Sequence, residues 1–388
     1  MSLPALRFKE FCDSWNETKI GEITSKLGSG STPRGGMEVY QLSGIQFIRS
    51  QNVNNEQLLL DDVTYISEEI NTQMKGSVVK PNDILLNITG ASIGRSCVVP
   101  SNFLIGNVNQ HVCIIRLKAD YIPRFLQPYL SSSRGQKSIS STQVGSGREG
   151  LNFEAIRSFK VSVPSPHEQT KIANFLTAVD EKITQLTQKH DLLTQYKKGV
   201  MQQIFCQELR FRDDDGQDFP EWEDKLLGQL CSITTGKLDA NAMVADGQYR
   251  FYTCAREYYQ IDKYAFDTEA LLISGNGANV GYIHYYKGKF NAYQRTYVLD
   301  NFEQNIIFVK YFLDEFLHVR IFKEAKEGNT PYIVMGTLTD MEIKIPPLPE
   351  QTKIANFLTA IDEKITATQT QLQAVKQYKQ GLLQQMFV

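Results

Sequence analysis

Glu168-Gln-Thr-Lys-Ile-Ala-Asn-Phe-Leu-Thr-Ala178 occurs twice in this chain, recurring letter for letter as Glu350-Gln-Thr-Lys-Ile-Ala-Asn-Phe-Leu-Thr-Ala360. The copies stand 182 positions apart. After one conservative change (Val179, Ile361), identity resumes through Asp180-Glu-Lys-Ile-Thr184 and Asp362-Glu-Lys-Ile-Thr366. The same offset, without a gap, carries Gln195-Tyr-Lys197 and Gly199 onto Gln377-Tyr-Lys379 and Gly381. A repeat of this kind settles the architecture before any single residue is read.

Each copy follows a proline cluster (Pro164 and Pro166; Pro346, Pro347 and Pro349), which ends a strand and permits a helix start. Apolar residues then keep a 3-4 spacing, the mark of a heptad seam. They are Ile172, Leu176, Val179, Ile183, Leu186 and Leu193 in the first copy, and Ile354, Leu358, Ile361, Ile365, Leu372 and Val375 in the second. His190, Lys197, Thr368 and Lys379 interrupt the seam. About 38 residues at 1.5 Å each make a rod of about 57 Å. Its stripe needs a partner, and the obvious partner is its own copy. Gly199 and Gly381 each cost about 1 kcal/mol against alanine inside such helices, which predicts a close crossing or a bend there. Glu168-Gln169 and Glu350-Gln351 are expected to cap the helix starts.

The segments ahead of the helices repeat more faintly. Leu6-Arg-Phe-Lys9 resembles Leu209-Arg-Phe-Arg212, and the two tryptophans, Trp15 and Trp222, each precede a glycine by six positions. Four segments follow: a globular block at 1–163, a helix at 164–206, a second block at 207–345 and a second helix at 346–388. Within the blocks, β-rich runs (Ile45–Ile48, Asp83–Ile88, Val112–Leu117, Phe159–Val163; Ala270–Ser274, Gly281–Tyr286, Thr296–Leu299, Glu342–Ile345) alternate with Gly- and Asn-rich loops. A helix is expected near Asn305–Leu317. The fold class is therefore mixed α/β (α+β), with two globular blocks separated by two long helices.

Composition excludes several classes. With 388 residues, 41% hydrophobic and 22% charged, the chain is neither disordered nor fibrous. No run approaches the roughly 18 apolar residues of a membrane span, and Met1–Arg7 lacks a signal-peptide pattern. Six scattered cysteines without a Cys-x-x-Cys fit a reducing cytoplasm.

Catalytic signatures are missing. The five histidines never stand at ligand spacing, and no metal site is expected. Gly28–Gly36 and Gly275–Gly281 are glycine-rich but lack the lysine of a phosphate-binding loop. The Glu-x-Lys triples at Glu223–Lys225 and Glu342–Lys344 are of a kind common by chance. No catalytic residue is assigned, and a single-chain nuclease lacks a core. Charge separates the blocks: 1–165 carries net +3 and 207–345 net −7. A stand-alone DNA binder normally shows a basic footprint. Either nucleic acid is not the ligand, or a partner subunit supplies much of the backbone contact.

Pro347-Leu-Pro-Glu-Gln-Thr-Lys-Ile-Ala-Asn-Phe-Leu358 resembles the segment that ends each half of the specificity subunit of type I restriction–modification systems. Pro164–Leu176 departs from that pattern only at Ser165 and His167. Lys80–Gly90 with Ser92-Ile-Gly94, Asn109-Gln-His111, Gly30-Ser-Thr-Pro33 and Gly145-Ser-Gly147 with Leu151-Asn152 are similar to further family segments. Leu271–Gly277 echoes the first of these, and Tyr293-Gln-Arg295 replaces Asn-Gln-His in the second block.

The resemblance implies that each block is a target recognition domain, and that the helices pack as an antiparallel coiled coil. The chain would read a bipartite, asymmetric target in double-stranded DNA, with the rod setting the unread spacer. Two modification (methyltransferase) subunits would join it, with restriction (translocase/nuclease) subunits attached through the methyltransferase core. No cofactor is expected in this chain, since S-adenosylmethionine, ATP and Mg would sit on those partners. The location implied is a prokaryotic cytoplasm.

Base and phosphate contacts are expected from polar and basic loop residues, arginine suiting guanine edges and Asn or Gln suiting adenine. In the first block these are Ser31, Thr32, Arg34, Arg49, Gln51, Asn52, Thr89, Arg95, Gln143 and Arg148. In the second they are Lys237, Arg256, Asn276, Asn279, Lys287, Lys289, Arg295 and Lys326. Phe175 and Phe357, beside the seam, are expected in the core. The competing reading is a two-headed coiled-coil scaffold that binds no DNA, which the acidic second block favours.

Overall fold

A computed structural model describes residues 3–142, 150–324 and 331–387; Gln143, Arg148 and Lys326 lie outside the described residues. The chain divides into two compact units, Met1–Thr187 with Thr370–Val388, and Gln188–Gln369. Each unit holds one block and portions of both long helices, Pro166–Phe205 (40 residues) and Leu348–Met386 (39 residues).

In the first unit, two four-stranded sheets carry the block. One runs in the order Thr64–Ile66, Ile45–Ile48, Gly106–Val108, Val78–Val79. The other runs Thr24–Ser29, Val112–Leu117, Ile84–Asn87, Ser96–Val98. Val112–Leu117 pairs antiparallel with both Thr24–Ser29 and Ile84–Asn87, so its apolar run is buried between neighbours. Asn16–Lys19 pairs antiparallel with Lys160–Val163, the strand that feeds the first long helix.

The second unit has a six-stranded sheet in the order Ser232–Thr235, Thr296–Asp300, Phe266–Ser274, Ile283–Ala292, Tyr249–Tyr252, Tyr259–Ile261. Its central hairpin, Phe266–Ser274 with Ile283–Ala292, extends beyond the expected runs, with Gly288 (φ 134°) inside the second strand opposite Thr268. Here too a two-stranded ladder, Glu223–Leu226 with Glu342–Ile345, leads into the long helix.

Inside each unit the helices run in opposite directions. In the first, Ile172, Ala173, Leu176 and Val179 share a core with Leu382, Leu383, Met386 and Phe387, and with the block's own Trp15, Ile156 and Val161. In the second, Ile354, Ala355, Leu358 and Ile361 share one with Val200, Met201, Ile204 and Phe205, and with Phe308 and Phe312. The expected seam is thus more than an interhelix stripe. Its outer positions are the centre of each block's core, which is why both helix starts carry Ala and Phe beside the heptad positions. Ile183 and Ile365 pack at the margins, Leu186 and Leu372 are buried, and Leu193 and Val375 are half-buried. Phe175 and Phe357 pack edge-on against Phe8 and Phe211.

Two expectations are corrected. Gly199 and Gly381 face open space, a Cβ there meeting nothing within 4 Å, so neither marks a close crossing. Glu168, Gln169, Glu350 and Gln351 do not cap; all four are buried. Glu168 takes two hydrogen bonds from the Arg7 guanidinium (2.7 and 2.8 Å) and one from the Trp15 indole (3.2 Å). Glu350 takes the same set from Arg210 (3.2 and 2.8 Å) and Trp222 (3.2 Å). Gln169 accepts from the Ile122 amide and donates to the Pro164 carbonyl. Gln351 does so with Asn305 and Pro346. The repeated Glu-Gln therefore staples each block to its helix.

Candidate nucleic-acid interface

In the first unit four loops converge at one end of the sheets. Gly30 begins the first loop, and its amide donates to the Asn109 carbonyl (3.2 Å) in the turn before Val112. The His111 carbonyl accepts from Ile88 (3.0 Å), and Asn109 donates to Ile48 (3.1 Å), which brings in the loop at Arg49. Buried Asn87 ties the remaining loops: its side chain donates to Ser50 (2.8 Å) and Val53 (3.3 Å), while its amide donates to Arg95 (2.8 Å).

Side chains then meet across these loops. The Thr32 hydroxyl donates to Gln110 Oε1; His111 has Thr89 Oγ1 at Nδ1 and Gln110 Nε2 at Nε2 (3.0 Å). Arg95 donates to Asn54 (3.2 Å). Ser31, Arg34 and Gln51 are exposed on the same loops, Gln51 donating to Asp62 (3.0 Å). Asn52 does not fit its expected role. It is 2% exposed, accepts from the Arg49 amide and donates to the Leu59 carbonyl, so it shapes its loop and has no free edge.

The second unit repeats the device with other side chains. Gly94 donates to the Asn87 carbonyl (3.0 Å), and Gly281 to the Ser274 carbonyl (2.8 Å). Gly90 and Gly94 (φ 70° and 86°) answer to Gly277 and Gly281 (φ 79° and 81°), left-handed positions that favour glycine. Gly275 donates to the Arg295 carbonyl (2.8 Å) as Ile88 does to His111, so Tyr293-Gln-Arg295 occupies the place of Asn109-Gln-His111. Gln294 is held by Asp239 (2.8 Å), as Gln110 is by Thr32. Gly30 and Gly236 are equivalent as well. A Cβ on either would lie 1.6 Å from the Val108 carbonyl oxygen or 1.9 Å from that of Ala292.

Lys237, Arg256, Asn276, Asn279 and Arg295 sit on these loops. Asn279 donates to the Cys254 carbonyl (3.0 Å), and Arg256 lies over the Tyr282 ring. Lys287 and Lys289 are not on the loops. They stand on the hairpin strand beyond, Lys287 paired with Glu269 (3.1 Å) and Lys289 over Tyr264.

Sequence reasoning left Gln110, His111, Gln294 and Asn54 out of the candidate set. The signal for the first two was the Asn-Gln-His match itself. Among the described residues, no group of three His, Cys, Asp or Glu side chains could hold a metal ion, and no helix is long and apolar enough to cross a membrane. Burial pushes the Cys97 and Cys113 thiols up to about 12, which leaves both without thiolate character at neutral pH.

Comparison with known proteins agrees with this doubled layout. The family model described as type I restriction modification DNA specificity domain matches residues 13–195 and again 220–377. The chain is 40% identical over 168 residues to the type I restriction enzyme EcoDI specificity subunit of Escherichia coli, 42% of this chain and 37% of that protein. Over 405 residues it is 21% identical to the MjaIX specificity subunit of Methanocaldococcus jannaschii, covering 95% and 91%. The matched stretch thus spans about a third of the E. coli relative and nearly all of the archaeal one. The fold is that of the crystal structure of a type I restriction–modification S subunit from M. genitalium, with TM-score 0.68, 16% identity and coverage of 100% and 99%. An S subunit from Thermoanaerobacter tengcongensis superposes with TM-score 0.50, 16% identity and 97% coverage of each chain.

Proposed function

The chain belongs to the type I restriction modification DNA specificity family, and on that premise we propose that it is the sequence-reading subunit of a methyltransferase and nuclease complex. One observation carries the reading. The same four-loop face is built in both units from matching backbone hydrogen bonds, yet it presents Thr89, Gln110 and His111 in one and Asn276, Gln294 and Arg295 in the other. A repeated scaffold with exchanged side chains fits two reading heads for two different half-sites. Amide, hydroxyl and guanidinium groups are among the side chains that read base edges in the major groove.

Backbone contacts position a reader and bases specify. The net −7 of block 207–345 makes this chain a poor neutraliser of phosphate, so two methyltransferase subunits would supply much of that contact. Restriction subunits would join through them. S-adenosylmethionine, ATP and Mg would be bound by those partners, and the complex would work in the cytoplasm beside chromosomal DNA. The test is methylome sequencing of cells that express this chain with its methyltransferase. An asymmetric bipartite adenine-methylated motif is expected. A methyltransferase that marks no defined motif, with or without this chain, would leave the two-headed scaffold as the better account.

A further inference from the structure

We infer that Arg295 is a base-reading residue of the second unit, and that the base it selects is guanine. The inference rests on the DNA-reading function proposed above. Arg295 is the last of the three residues between Ala292 and Thr296, and backbone hydrogen bonds pin this turn on both sides. Tyr293 donates to Tyr252 (2.9 Å), Gln294 to Leu238 (2.9 Å) and Thr296 to Tyr293 (2.8 Å), while the Arg295 carbonyl accepts from Gly275 (2.8 Å). The side chain is exposed, and among the described residues its guanidinium has no hydrogen-bond or ion-pair partner. It lines an open cleft with Gly275, Gln294, Tyr297 and Ile333.

Neighbouring side chains around the cleft pair with other groups. Asp239 accepts from Gln294 (2.8 Å), and the Tyr297 hydroxyl donates to the Ile333 carbonyl (2.8 Å). Gly275 keeps the cleft floor open, since a Cβ there would lie 2.4 Å from the Arg295 carbonyl and 2.9 Å from the Tyr297 ring. A preorganised backbone thus presents five donors and no acceptor. Guanine offers two acceptors, O6 and N7, on its major-groove edge, whereas adenine pairs its N7 with a donor. The equivalent position of the first unit holds His111, whose two ring nitrogens already face Thr89 and Gln110. The same turn therefore reads differently in the two heads.

The test uses the full chain assembled with its methyltransferase subunits and a duplex carrying its methylated target. Each guanine is replaced in turn by 7-deazaguanine, which pairs normally but lacks the N7 acceptor. One replacement should weaken binding by about 5-fold or more, within the range of a lost base contact. In the Arg295→Ala complex the same replacement should cost nothing. Arg295→Lys, which keeps the charge but not the fork, should bind the target with reduced discrimination between guanine and adenine at that position.

The inference is overturned if no guanine is sensitive, or if the penalty persists without Arg295. A uniform loss of affinity for all sequences would overturn it too, since that marks a phosphate contact. So would an Arg295→Lys complex that discriminates as sharply as the parent. A wild-type complex with no defined target would remove the proposed function together with this inference, whereas a defined target without an Arg295-dependent guanine removes this inference alone.

Discussion

Asp180 and Lys379 meet at 2.5 Å where the two long helices face each other in the first unit. Their counterparts 182 positions away, Asp362 and Lys197, meet at 2.7 Å in the second. One helix supplies the carboxylate in one unit and the ammonium in the other, the relation an antiparallel register imposes on a repeat. The third member of each cluster differs. Lys379 also binds Glu56, from the tight turn between Val53–Asn54 and Gln57–Leu58, whereas Asp362 accepts from the Tyr311 hydroxyl (2.7 Å), whose ring lies under Lys197.

Lys379→Met should therefore be the costlier of the two lysine substitutions. The Lys379 side chain is 12% exposed, and its loss leaves two carboxylates facing each other. Burial by itself would lower its pKa, but Glu56 and Asp180 hold it above the usual range. Removing one partner of a buried pair costs about 3–5 kcal/mol; partial exposure of Asp180 and Glu56 argues for about 2 kcal/mol here. Lys197→Met leaves Asp362 with its tyrosine donor and should cost about 1 kcal/mol or less. Urea unfolding of both variants checks the order, and equal midpoints would refute it.

Glu168→Ala strips the partner from Arg7 and the acceptor from the Trp15 indole. The carboxylate side chain is 2% exposed and Arg7 11%, so a loss of about 3 kcal/mol is expected. The variant reports on itself optically. In a Trp222→Phe background Trp15 is the sole tryptophan, and its emission should shift to the red as the N-terminal segment lifts from the helix. Unchanged emission together with unchanged stability would show that Glu168 is not a staple.

That staple shows where the sequence was legible and where it was not. The repeat, the helices and several strands came from periodicity and punctuation, which are local signals. Glu168 was read as a cap because Glu beside a helix start usually is one. Its true partners, Arg7 and Trp15, are about 150–160 positions away, and only the faint Leu-Arg-Phe repeat and the paired tryptophans hinted that they were shared. The interface had the same limit. Thr89 and Asn276 were visible as polar residues on glycine turns, while Asn87 and Ser274, which anchor those turns, look like ordinary strand ends. Asn52 was misread because burial of a loop asparagine depends on contacts that no local pattern records.

Gly199→Ala and Gly381→Ala should stabilise the chain. Both lie inside the long helices, and a methyl group there meets nothing within 4 Å. Alanine then gains its helix propensity without a steric charge, roughly 0.5–1 kcal/mol at each site. A lowered melting temperature for either variant would refute the open-space reading of that glycine.

Acid should weaken the second unit through His284. Burial lowers the pKa of this imidazole below its ordinary 6.5, and the ring sits between Tyr252 and Tyr282 with Nε2 at the Ala255 carbonyl (3.0 Å). The folded state thus holds the neutral ring while the unfolded chain takes up the proton first. The stabilising contribution is complete above about pH 6.5 and is lost as pH falls through the folded value. Between pH 7.5 and 5.5 the melting temperature of His284→Phe should fall less steeply than that of the parent. Parallel curves would exclude this histidine as a source of acid sensitivity.

Gly30→Ala tests whether the four-loop face acts as one object in each unit. Gly30 has no need of a left-handed backbone; what it lacks is room, because a Cβ would stand 1.6 Å from the Val108 carbonyl oxygen. That oxygen belongs to backbone and cannot swing aside, so the loop bearing Ser31, Thr32 and Arg34 must lift from the turn bearing Gln110 and His111. Overpacking of this sort costs about 1–3 kcal/mol, and the Thr32–Gln110 hydrogen bond should go with it. Recognition of the half-site read by the first unit should fall by about tenfold or more, while the other half-site is read as before. Gly236→Ala, 1.9 Å from the Ala292 carbonyl oxygen, should produce the mirror result. Gly28→Ala provides the control, since a Cβ two residues upstream meets nothing within 4 Å. Methylome sequencing of the three variants reads both half-sites at once. If Gly30→Ala left the first half-site intact in a folded complex, the glycine loop would not belong to the reading surface, and Thr89, His111 and Arg95 would have to carry that half without it.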